Sequence, residues 1–193
     1  FDEQGFEAAT VASICRRAGV SNGSFFHAFP SKEAAAGAVF LAALRSYQEA
    51  LVAAVSGGPS AANGVAALID AHVRWLGDNW TAARFMFLHG QTPSALSTLD
   101  ALNDSNERFR KALAGWYQPL MEAGALAALP AELLVSQIIG PVQMICRAWL
   151  SGRRKSRPDA HVPPLIECAV RAVVPAGAGR KELVGGTGRR KKK

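Results

Sequence analysis

The 193-residue chain is 49% hydrophobic and 19% charged, the balance of a globular protein with at least one good core. Its net charge of +7 does not belong to the body of the chain: residues 180–193 hold seven Lys or Arg against one Glu, a net of +6, leaving +1 for everything before them. No apolar run approaches the roughly 20 residues of a bilayer span, and neither a secretory signal nor a Cys/His cluster with zinc or redox spacing is found.

These exclusions lead us to expect a cytoplasmic protein with no membrane partner, no metal and no cofactor. Cys15, Cys146 and Cys168 read as buried thiols in a reducing compartment. The chain opens on Phe1.

From Thr10 to Ala18, Val11, Ile14, Cys15 and Ala18 recur at helical spacing, with Arg16 and Arg17 turned outward. Thr10 can cap this helix, and Gly19 can leave it in a left-handed conformation. Ser21 opens a second short helix, about "NGSFFHAF", which must end near Pro30. Ser31 caps a third that runs to about Val55, with Glu33 near its positive end.

"SGGPSAANG" reads as a linker or sharp turn. Beyond it, helices are expected near 62–78, 81–90, 96–123, 131–152 and 161–174, with breaks at Pro93, Pro130 and "RRKSRPD". Pro119 and Pro141 should kink or divide the helices that contain them. The predicted fold is all-α. A helix-turn-helix unit occupies residues 1–50, a larger bundle residues 51–176, and a basic tail expected to be disordered residues 177–193.

Two short helices joined by a tight turn, the second opening on small polar residues, match a DNA-reading helix-turn-helix. Ala18 would let the first helix cross close to the second, and Val20 would plug the small core between them. Asn22, Ser24 and His27 would face a major groove, and Gly23 would let the backbone approach phosphate. Lys32 and the free N–H groups of the third helix would sit beside the duplex backbone. On the residues alone, an ordinary helical corner remains the alternative.

Phe1, Gly5, Phe6, Thr10 and Ile14, then Ala18 to Ser21, then Gly23, Ser24, Phe26, Phe29 and Ser31 to Glu33 form a pattern that resembles the N-terminal region of the tetracycline-repressor-like (TetR) family of transcription regulators. The resemblance covers about forty residues. It implies operator DNA as partner, with Thr10 touching phosphate, Ser21 to His27 reading the duplex, and Phe26 and His27 facing DNA; Phe25 and Phe29 are core. Three departures stand out. The family's helix ahead of Phe1 is present only as its last residue or so, which would strip cover from Val11, Ile14 and Val20. The usual Tyr is Phe26, and a common His is Ala28.

The resemblance also implies an effector cavity in the C-terminal bundle. Trp75, Trp80, Phe85, Phe87, His89, Trp116, Met121 and Met144 could line it, with Gln137, Gln143 and His89 as polar contacts, although the same rings serve equally well as core. The scarcity of cations among them favours an uncharged apolar or aromatic molecule, whose binding, through packing on the helix beginning at Ser31, would tilt the N-terminal unit and shift the separation of the two recognition helices. Leu134, Ile138, Val142, Ile145 and Trp149, with Ile166 and Val170, carry more apolar surface than one core-facing stripe needs. In the resembled family such helices form a four-helix interface, so a homodimer is expected, with recognition helices about 34–36 Å apart or a multiple of it.

The implied function is a repressor released from its operator by a small effector. A helical ligand-binding or protein-interaction module that has lost operator binding is the alternative. An enzyme is disfavoured: Gly-x-Ser-x-Gly, His-Glu-x-x-His, phosphate-loop and dinucleotide signatures are all missing.

Overall fold

The computed structural model describes residues 8–89 and 99–177. Helix α1 spans Val11–Ala18, α2 Asn22–Ala28, α3 Lys32–Val55 and α4 Ala61–Asp78. The short α5, Trp80–Arg84, runs into a π-helical turn, Phe85–His89. Helix α6 is Leu99–Glu122, α7 Ala131–Leu150 and α8 Val162–Val173, the last preceded by a 3₁₀ turn, Pro158–His161. Among the described residues no strand occurs, and the fold is all-α.

Local chemistry sets the N-terminal boundaries. The Thr10 side chain accepts from the Ser13 N–H while Ser13 answers back to Thr10, a reciprocal cap on α1. Gly19, at φ 67°, ends that helix in the left-handed conformation that costs a residue with Cβ most. Ser21 and Ser31 each accept from the N–H three residues on, opening α2 and α3.

Two apolar clusters result. The small one gathers Cys15, Phe25 and Ala35, with Val11, Ile14 and Phe29 partly buried against it. The large one is built around α4, which touches α3, α7 and α8 and buries Val65, Ile69 and Leu76 completely. Helix α3 belongs to both: Ala35 lies in the small cluster, and Ala43, Tyr47 and Leu51 lie in the large one.

Several expectations need correction. Helices α6 and α7 run through Pro119 and Pro141 without being divided. Both prolines face solvent, as do Gly115 and Gln137 four residues earlier, so water can take the carbonyls the prolines leave unpaired. Val20 does not plug the small core; it is 45% exposed, because its N–H closes back on the Cys15 carbonyl and Phe25 fills the interior instead. Cys15 and Cys146 are buried, but Cys168 is exposed on α8. Helices α3 and α7 do reach the length and mean hydropathy (1.3 and 1.4) of a membrane-crossing segment. Their Ala, Leu and Val outweigh interspersed polar residues in the average, and both helices pack in the bundle. The expectations for Phe1, Gly5, Phe6, a break at Pro93 and the tail beyond Gly177 lie outside the described residues.

Candidate functional site

Helix α2 buries one large side chain, Phe25, and shows nearly everything else. Asn22, Gly23, Ser24 and His27 are exposed, and Phe26 is 54% exposed with its ring edge-on to Phe25 at 5.4 Å. The Ser21 hydroxyl is occupied as cap and lies 3.0 Å from that of Ser24, so the two form one polar patch at the start of the helix. Thr10, at the head of α1, is exposed, and Lys32 is partly exposed in the first turn of α3. Beside Lys32, the Glu33 carboxyl is held below its ordinary range by its own backbone N–H and then by the Ser31 hydroxyl. The unit therefore presents hydroxyls, an amide, an imidazole and helix N-termini outward, supported from behind by Phe25 and Phe29. Such a surface can donate to phosphate and reach base edges.

The bundle interior holds a second constellation. Tyr47 of α3 and His72 of α4 share a 2.8 Å hydrogen bond between the phenol oxygen and Nδ1. The rings of Trp75 and Phe87 stand nearly edge-on to Tyr47 at 5.3 and 5.6 Å, and Phe87 lies 6.1 Å from His72. Burial pushes the Tyr47 phenol upward and pulls His72 down to about 4, so both are neutral near pH 7. Trp75 donates its indole N–H to the Ser46 hydroxyl at 3.1 Å. Close by in sequence, Gln48 is buried in a chain of its own: its amide donates to Asn106 at 2.9 Å and its carbonyl accepts from Ser105 at 2.7 Å. That chain floors a groove of about 590 Å³ between α3 and α6, bordered by Arg45 and Arg108.

The structure separates the expected effector residues. Trp75 and Phe87 belong to the aromatic nest, and Phe85 is buried. Trp116 is buried elsewhere in the same core, donating to the Pro59 carbonyl at 3.2 Å and resting on Gly64, while Met121 is partly buried. Trp80 lies outside the nest, 36% exposed, edge-on to Trp149 at 4.3 Å with Arg84 and Arg157 over the two rings. Gln137 and Met144 are on the outer face of α7, Met144 at 71% exposure, so neither can line an interior cavity. The side chain of His89 lies outside the described residues.

Of the expected interface residues, Leu134, Ile138, Val142 and Val170 are buried inside the protomer and offer a partner no surface. Ile145, Trp149 and Ile166 are partly exposed. The outer face of α7 instead shows Leu133, Gln137, Pro141 and Met144 at helical spacing. Tyr47, His72, Gln48 and Ser105 were missed altogether. His72 did leave a trace, because it falls in register with Leu68, Ile69 and Leu76 on an otherwise apolar helix face.

Residues 1–39 match the family model described as bacterial regulatory proteins, tetR family. No curated protein matches the sequence. The fold is similar to FadR from Bacillus subtilis, a transcriptional regulator in complex with stearoyl-CoA, at a TM-score of 0.73 and 20% identity over 88% of this chain and 91% of that one. It is also similar to a TetR family transcription regulator from Marinobacter aquaeolei VT8, at a TM-score of 0.72 and 19% identity over 90% and 88%. The fatty acid degradation regulator FadR from Bacillus halodurans follows, at a TM-score of 0.71 and 20% identity over 88% and 91%.

Proposed function

We propose that this chain, whose first 39 residues match the N-terminal model of the tetR family of bacterial regulatory proteins, is a dimeric repressor released from its operator by a small, mainly apolar effector held in the bundle. One observation carries the reading: α3 starts at the Ser31 cap beside the DNA-facing patch and runs unbroken to the Tyr47 nest. A molecule that displaces Tyr47, Trp75 or Phe87 acts on the same rod that carries Lys32. To regulate, it must favour one placement of that rod over another, since filling space alone shifts no equilibrium.

The described walls of the nest favour an apolar or aromatic body for the effector. The Bacillus subtilis relative of the same fold is in complex with stearoyl-CoA, whose acyl chain is of that character. An effector with an anionic end would find Arg45 and Arg108, against the one carboxylate of Glu49, at the groove beside Gln48. Two copies joined through α7 and α8 would place two α2 helices on successive faces of one duplex.

The test is a titration of the protein against its own promoter and a random duplex at several salt concentrations, with and without effector candidates taken from neighbouring genes. The repressor reading expects promoter preference and a 10- to 100-fold loss of it on effector binding, an energetic coupling of about 1.4–2.7 kcal/mol. Equal affinity for both duplexes at every salt concentration would favour the module that has lost its operator.

A further inference from the structure

His72 is fully buried, and its Nε2 has no hydrogen-bond partner among the described residues. Which hydrogen sits on that nitrogen follows from Tyr47. The Tyr47 hydroxyl has His72 Nδ1 as its one partner among the described residues, at 2.8 Å. Were Nδ1 protonated, it would donate to the phenol oxygen. The phenol O–H would then be an orphan in the core, and Nε2 an orphan acceptor as well. With the phenol donating to Nδ1, both of those groups are satisfied and a single orphan remains, the Nε2–H. Buried donors are seldom left this way.

One wall beside the imidazole reaches the surface: Phe87 packs 6.1 Å from it and is itself partly exposed. Phe87 belongs to the π-helical turn, a wide backbone form that recurs where helices serve a site rather than a core. The other ring set against His72 is that of Tyr47, itself flanked by Trp75.

From the orphan donor and its aromatic surround we infer that the effector is an apolar molecule bearing a carbonyl-type acceptor, which receives the His72 Nε2–H when it replaces the packing of Phe87. This deepens the proposed function and rests on its placement of the effector in the nest. It adds a requirement that an aromatic lining alone does not make. A pure hydrocarbon of the right shape would leave the N–H unpaired, as would a ligand able only to donate there.

The experiment uses the whole chain without DNA. Long-range ¹H–¹⁵N correlation of the imidazoles should show His72 with its proton on Nε2. Saturating acetophenone should move that resonance, whereas ethylbenzene, with a methylene in place of the carbonyl, should not. The ratio of the two dissociation constants should fall about tenfold in His72→Phe. In Tyr47→Phe, where nothing fixes the tautomer, the ratio should fall part of the way. An Nδ1–H tautomer in the wild type, or an Nε2 resonance that saturating acetophenone leaves in place, overturns the inference even if both variants fail to fold. Acetophenone bound at His72 in a protein that, titrated separately, prefers its promoter no more than a random duplex would sink the repressor reading and leave the carbonyl-accepting site standing.

Discussion

His72 gives the fold an acid-sensitive element. Burial holds its folded pKa at about 4 against an ordinary 6.5. As pH falls, the unfolded chain therefore takes up the proton first. The stability that depends on a neutral His72 is whole above about pH 6.5 and drains away between about 6.5 and 4, by at most about 3 kcal/mol. Urea unfolding across that window should show a shallower acid slope in His72→Phe than in the wild type. A second residue-level outcome concerns Gly64, where an added Cβ would land in the Trp116 indole. Gly64→Ala should force that ring and its bond to Pro59 aside at a cost of about 1–3 kcal/mol, lowering the thermal midpoint. Gly115→Ala meets nothing within 4 Å in an exposed stretch of α6 and should stabilise by up to about 1 kcal/mol. The sequence made Thr10, Ser21, Ser31 and Phe25 legible because their partners lie within a few residues. The Tyr47–His72 pair joins residues 25 apart on different helices, and no local pattern announces it.

Helix α3 was readable almost to the residue, because a serine cap opens it and a glycine-rich turn follows it. The same holds for α4, α7 and α8, where apolar periodicity and proline punctuation agree. What periodicity left open was which of two apolar faces turns inward. On α7, Leu134, Ile138 and Val142 point into the core, and Leu133 and Met144 point out. A helix apolar on both sides reads alike from either, which is why buried residues were assigned to the interface and the outward Met144 to the cavity. The cap of α3 is a specific lever on its first turn. Ser31→Ala removes the acceptor for the Ala34 N–H, and thermal unfolding should report a loss of about 1 kcal/mol. Lys32→Ala, one position on, should instead leave stability nearly unchanged. In a titration across salt it should weaken binding to every duplex alike and reduce the salt slope by about one.

As a whole, the molecule leaves α7 with Leu133, Pro141 and Met144 facing out next to partly exposed Ile145. Such a face is unusual on a monomer and suits a twofold contact. Light scattering at micromolar concentration should return about twice the chain mass of 20.4 kDa. Met144→Glu combined with Leu133→Lys should return the single-chain value, and operator affinity should fall with it, because two half-sites are then no longer held at once. A wild-type protein that stays at 20.4 kDa would rule this interface out.

The small cluster of Cys15, Phe25 and Ala35 borrows one of its walls from α3, whose remainder is anchored in the large cluster. Among the described residues few apolar groups hold α1 and α2 down, and on that packing these helices should open many times for each global unfolding event. Amide hydrogen exchange would then be stepped along one continuous helix: fast around Phe25, faster at Ala35 than at Leu51, and slowest where α3 meets α4. A duplex that braces α2 should flatten the step from its fast end. Protection along α3 would thereby report operator occupancy at amides that never touch DNA.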